Sequence, residues 1–306
     1  MGKPATTTTK PNGHTKPVAE PAEDQHLAPA VVPTSLPAAF EADFDEYAGA
    51  GTSDRPEDQA TPFLILLQKG SPEINDREAA FIPGAEAGML LNKSTGQLFE
   101  TDNGPLFVQA FSETCEVQWK TPRGNGFVAR HPLDTPLAQQ VRLTVNPQKP
   151  DGAKLRMLPD NTQLVETAYH YGFLLETFEP VVIALSSTGL SVHKAWNTLL
   201  RNKRVWRNGT MKVQPAFNTI VRLDTMWRKK DSNDWYQLKP VDCGFIDPND
   251  PMQMAVRTAA KELYERAKLG LVRPEAPPAE EQDTAAPAAH KPPLHADDRL
   301  DDEVPY

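Results

Sequence analysis

Residues 163–187 read QLVETAYHYGFLLETFEPVVIALSS, and their pattern decides the fold class. Two runs rich in β-branched and aromatic residues, 163–175 and 181–187, are joined by a polar stretch with a turn near Glu179-Pro180. That is the signature of an adjacent strand pair. Strand side chains alternate, so Tyr169 and Tyr171 share one face while His170 points the other way, where a packed role suits it. The next segment, LSVHKAWNTLLRNKRVW, changes period. Leu190, Trp196, Leu199, Leu200 and Val205 recur at roughly helical spacing, which leaves Lys194, Arg201, Arg204 and Arg207 largely on the opposite side.

Working outward, more short strands appear. TPFLILLQKGSPEIN opens the apolar region at 61, and GMLLNKSTGQLFE reads as two strands about a turn at 93–96. LFVQAF (106–111), CEVQW (115–119) and FVAR (127–130) follow as separate runs. Residues 131–162 carry five prolines and an Asp-Gly turn signal, so they read as a long insertion with one strand near 141–145. Beyond the helix, FNTIVRLDTMWRKK (217–230) and DWYQLKPVDCGFI (234–246) flank a polar turn at 231–233 and read as a hairpin. Asp250 followed by Pro251 opens a last helix that runs to Gly270. The expected fold is mainly β with helices, a decorated OB-fold-like barrel; another α+β sheet domain fits the same pattern.

Composition divides the chain into three. Residues 1–60 and 274–306 are rich in Pro, Ala, Thr and acid, too polar to bury the surface that would offset ordering, and are expected to be disordered arms. Residues 61–273 are the expected core. Neither an apolar run long enough to span a bilayer nor a signal-peptide h-region occurs, so no membrane partner is expected and the cytoplasm of the cell is the expected compartment. Cys115 and Cys243 lack metal or redox spacing and read as ordinary thiols.

Charge is segregated in the same way. The net charge of −9 resolves into about −6 on 1–60, −7 on 274–306 and +4 on the middle. Within 181–240, eleven bases meet three acids. That surplus suits a polyanion-binding surface. Four of the five tryptophans fall in this segment, beside the bases. Arg204, Trp206 and Arg207 are clustered; Trp227 precedes Arg228, Lys229 and Lys230; Trp235 lies near the hairpin tip; Lys194 and Trp196 are two apart, and Lys203 follows Arg201. Trp119, Lys120 and Arg123 form a similar group at a strand end, and Tyr169 with Tyr171 adds two rings on one strand face. Rings beside Lys and Arg fit single-stranded nucleic acid, whose bases offer π-faces along a phosphate chain. Trp196, on the apolar stripe of its helix, is expected to be core.

No phosphate-binding loop, dinucleotide turn, zinc-protease helix or serine elbow is present, so neither enzyme activity nor a cofactor or metal is expected. Asp160 and Glu166 only faintly suggest a nuclease pair, since the lysine that should follow is Ala168. His131, His170 and His193 share no metal-ligand spacing.

The chain ends Asp301-Asp302-Glu303-Val304-Pro305-Tyr306. This resembles the acidic tip of bacterial single-stranded DNA-binding proteins, Asp-Asp-Asp-Ile-Pro-Phe, with conservative changes at three positions. TPFLILLQKGSPEIN, the GMLLN hairpin, SSTGLSVHKAWN and AYHYGFLL likewise resemble phage-encoded proteins of that class. The resemblance implies a sequence-tolerant binder that coats single strands during phage DNA replication and recombination. It also implies a tail that recruits replication and recombination enzymes, with Val304, Pro305 and Tyr306 recognised and Asp301, Asp302 and Glu303 steering. The sequence leaves room for a homo-oligomer. A protein-binding adaptor or virion-associated structural protein is the competing expectation.

Overall fold

The structure, a computed structural model, describes residues 50–51, 61–121, 126–146, 154–230 and 233–272. Both expected arms, apart from residues 50 and 51, therefore lie outside the described residues. In chain order the strands are β1 Leu64–Leu66, β2 Leu90–Asn92, β3 Leu98–Phe99, β4 Leu106–Trp119, β5 Phe127–Pro132, β6 Arg142–Val145, β7 Lys154–Met157, β8 Gln163–Leu174 and β9 Pro180–Ser186. Helix α1, Gly189–Asn202, is followed by β10 Arg204–Arg207, β11 Thr210–Val213, β12 Thr219–Lys230 and β13 Asn233–Phe245, and helix α2, Pro251–Lys268, comes last. Among the described residues the fold is mainly β with two α-helices, as the sequence pattern suggests.

An eight-stranded antiparallel sheet runs β13-β12-β4-β8-β7-β6, with β5 added to β4 and β9 to β8. The opening stretch supplies its centre: β8 pairs β4 along nearly its whole length and β9 on the other side. Every residue of β8 from Thr167 to Leu174 is buried, so both of its faces are covered there. Its odd positions Tyr169, Tyr171 and Phe173 join Val108 and Val117 of β4 under Val256, Ala260 and Leu263 of α2. Its even positions Ala168 and Leu174 join Phe107, Val221, Leu223 and Leu238 under Val192, Trp196 and Leu200 of α1. Each helix thus buries one stripe at three- and four-residue spacing, one helix per sheet face. Asp250 caps α2 by accepting from the backbone N–H groups of Met252 and Gln253 at 2.9 and 3.1 Å.

Four expectations need correction. A barrel closes when its terminal strands pair; among the described residues, no pairing joins β13 to β6, and the sheet is open. Edge strand β13 carries Lys239 and Pro240, and proline has no N–H to donate to a further strand. LFVQAF and CEVQW are one strand, β4, because the polar residues between them, Ser112, Glu113 and Thr114, stay paired with His170, Tyr169 and Ala168 of β8; the register shifts only at a bulge between Gln109 and Phe111. The insertion holds a second strand, β7, paired with β6. Finally, α1 stops at Asn202, and Arg204–Arg207 forms a hairpin with Thr210–Val213. Asn208 and Gly209 turn it, both at positive φ (49° and 74°). Asn-Gly is the strongest short hairpin signal, and here it overrides the helical spacing that Val205 imitates.

Candidate nucleic-acid interface

The basic segment folds into helix α1 and the two hairpins that follow it. Hairpin β10–β11 is exposed along almost its whole length. Cross-strand partners share a face, so Trp206 stands opposite Met211, and Arg204 opposite Val213, on one side. Trp206 is 69% exposed, with Met211 and Val213 also open to solvent. Arg207 and Lys212 are exposed on the other face. The root of this hairpin is fixed: Gln214 donates its backbone N–H to the Lys203 carbonyl at 2.7 Å, and Lys203 pairs with Asp242 of β13 and lies over the Phe245 ring at 4.8 Å. Burial tends to raise the Asp242 carboxyl, but the Lys203 hydrogen bond, the Gly244 N–H and the Lys203 charge outweigh it and hold the group below the usual range.

The second hairpin is the outer end of β12–β13. Trp227, 52% exposed, stands opposite Tyr236, and Arg228 opposite Trp235. The Trp227 indole N–H also helps hold the Asp234 carboxyl low, after the larger effect of the Lys69 hydrogen bond. The polar edge of the ring is thereby tied down while half of its surface stays open. Arg228, Lys229 and Lys230 are exposed around it, and Arg228 donates to Gln237 at 3.1 Å. Helix α1 exposes Lys194 and Arg201, which are seven residues apart and so on one side.

The structure does not bring every expected residue to this surface. Tyr169 and Tyr171 are fully buried and Trp119 is 1% exposed, so these three rings cannot stack on a ligand in this conformation. Tyr171 packs flat on Phe111 at 4.3 Å and donates to Glu113 at 2.8 Å; Tyr169 lies under the Arg130 guanidinium at 4.3 Å. Strand alternation alone put both tyrosines on one face, but β8 is covered on both faces, which alternation does not reveal. Trp235 is half-buried. Lys120 is exposed; Arg123 and the tip Asp301, Asp302, Glu303, Val304, Pro305 and Tyr306 lie outside the described residues. The exposed apolar partners of Trp206, Met211 and Val213, had no local signal until the hairpin was recognised.

Helix α1 is held on the sheet by a polar network inside apolar packing. His170 stacks on Trp196 at 4.2 Å, and Trp196 meets the Phe107 ring edge-on at 5.7 Å. Gln109 Oε1 accepts from His170 Nδ1 at 2.8 Å, so His170 Nε2 accepts from His193 Nδ1 at 2.9 Å. His193 Nε2 in turn accepts from Asn197 at 3.0 Å. Every bond in this chain uses a neutral imidazole. Burial, reinforced by His193, pushes His170 down to about 3; His193 is lowered chiefly by burial, against an upward pull from Glu166 and with a lesser downward one from Lys194. These two histidines position the helix that presents Lys194 and Arg201.

Elsewhere, burial pushes the Cys115 thiol up to about 11, so it stays protonated at neutral pH. Asp160 is held low by hydrogen bonds from Thr162, and Glu166 stands opposite Glu116 in the β4–β8 register. Among the described residues no group of three or more His, Cys, Asp or Glu side chains is placed to hold a metal ion, and no helix is long and apolar enough to cross a membrane.

Residues 32–272 match the family described as Pam3 phage gp34-like protein. The chain belongs to that family. It is therefore a phage protein, and the gp34-like match takes in both hairpins, α1 and α2. The acidic tip at 301–306 falls beyond the gp34-like segment. No curated protein and no solved structure matches the chain.

Proposed function

We propose that this gp34-like protein is a sequence-tolerant single-stranded DNA-binding protein that holds strands during phage DNA replication and recombination, without chemistry of its own. The observation that carries the reading is the exposure of Trp206 and Trp227, each on a hairpin among exposed arginines and lysines. Exposing a tryptophan forfeits roughly 1.5–3 kcal/mol of burial per large apolar side chain. Stacking on a nucleobase recovers roughly 1–3 kcal/mol, and the neighbouring arginines and lysines neutralise the phosphates. The acidic tip would tether replication and recombination enzymes, and the −7 arm would compete with DNA for the basic segment.

Anisotropy titration with a labelled dT oligomer tests this. With about six phosphates neutralised, the log–log salt slope for a single strand is about −4, a loss of a few hundred-fold between about 50 and 200 mM salt. A chain lacking residues 298–306 should bind more tightly at low salt; unchanged binding would remove the tail from the account. No binding of the full chain at low salt would defeat the proposal.

A second reading rests on a specific observation. Trp206, Met211 and Val213 form an exposed apolar strip, which also suits a protein partner. On that reading the protein is an adaptor or virion-associated structural protein, and hairpin β10–β11 is its docking arm.

A further inference from the structure

We infer that Trp206 and Trp227 are the two ends of one bridged footprint, so that the ligand is a single strand long enough to reach both; this rests on the single-strand reading above. The two rings belong to different hairpins, and β13 measures the separation of their roots. Trp227 is opposite Tyr236 near the outer end of β13, whereas Lys203, at the root of the other hairpin, is paired with Asp242. Those positions on β13 are six residues apart, about 20 Å of extended chain. Trp206 stands a further three residues beyond Lys203, within roughly 10 Å of that root.

Helix α1 fixes the same span independently. Near its start, Gln237 of β13 donates to the Thr188 carbonyl at 3.1 Å; just past its end, Lys203 meets Asp242. Its 14 residues cover about 21 Å. The helix therefore lies beside β13 between the two roots, and its exposed Lys194 and Arg201 are about 10 Å apart along its axis. Base-and-ring groups stand at each end, with cations spaced between them.

A stacked strand advances about 3.4 Å per nucleotide, so roughly six nucleotides span 20 Å. Shorter oligomers occupy one end at a time. Longer ones make the second contact intramolecularly, at an effective concentration in the millimolar range.

The test compares dT oligomers of about 4 and about 12 nucleotides on the full chain and on Trp206→Ala, Trp227→Ala and the double variant. Both rings are at the surface, and unchanged thermal melts confirm that the variants fold. On the 4-mer each single variant should lose no more than about twofold, because the other end still binds, while the double variant loses binding altogether. On the 12-mer each single variant should lose roughly 5- to 150-fold. Equal single-variant losses on both lengths would overturn the bridge while leaving single-strand binding intact. Failure of the unaltered chain to bind the 12-mer would overturn the single-strand reading, and the bridge with it.

Discussion

Replacing Gly172 with alanine is expected to cost the fold about 3 kcal/mol or more and to lower its melting temperature by roughly 6 to 12 °C. Gly172 sits in the middle of β8, where glycine normally weakens a strand. Here it is needed for close approach. A Cβ would come within 2.2 Å of the Val108 carbonyl oxygen and 2.5 Å of the Phe107 ring. Neither can yield cheaply: the carbonyl belongs to the backbone of β4, and Phe107 is fully buried against Trp196. The same closeness sets the height at which α1 packs on the sheet, through the sequence Gly172, Phe107, Trp196, His170. A thermal melt of the Gly172→Ala chain indistinguishable from the unaltered one would contradict this packing.

Acidification from about pH 7 to about pH 5 is expected to destabilise the fold by about 2 kcal/mol through His170. Its folded value is depressed to about 3, against about 6.5 in the unfolded chain. The unfolded chain therefore binds more protons between those values. Stability is fully present above about pH 6.5 and is lost progressively as the pH falls towards 3. His193 acts in the same direction, under the opposing influences of Glu166 and Lys194. Urea titrations at the two pH values would show the loss, and a His170→Gln chain, though less stable overall, should show a clearly smaller one. Equal pH dependence in the two chains would mean that His170 is not the group that titrates. Because the pair anchors α1, loosening at low pH should begin at the helix carrying Lys194 and Arg201.

The central strand pair was legible because its composition and turn are local properties, and so was the capped start of α2 at Asp250. What escaped were features set by distant contacts. The continuity of β4 through Ser112, Glu113 and Thr114 depends on their pairing with β8. The open sheet depends on which edges find partners, and β7 is a short polar-apolar alternation beside a proline-rich stretch, too weak to read alone. Hairpin β10–β11 did have a local signal in Asn208-Gly209, masked by the helical spacing that runs up to Val205.

The candidate interface divides along the same line. Bases beside tryptophans single out a segment in which Trp206 and Trp227 are open to solvent with Arg204, Arg207, Arg228, Lys229 and Lys230 around them. Tyr169, Tyr171 and Trp119 share the residue types but sit where two layers cover the sheet. Lys203 shows why a count of bases overstates the free charge: its ammonium is engaged with Asp242 and the Phe245 ring.

The most direct test of the central claim is tryptophan emission during titration with a dT oligomer of about 30 nucleotides, at low salt. Bases stacked on exposed indoles should quench the unaltered chain. The Trp206→Phe/Trp227→Phe double variant should lose most of that quench, because of the three tryptophans it keeps Trp119 and Trp196 are buried out of reach and Trp235 is half-buried. No quench in the unaltered chain, or an undiminished quench in the double variant, would contradict the assignment of these two rings to single-stranded DNA.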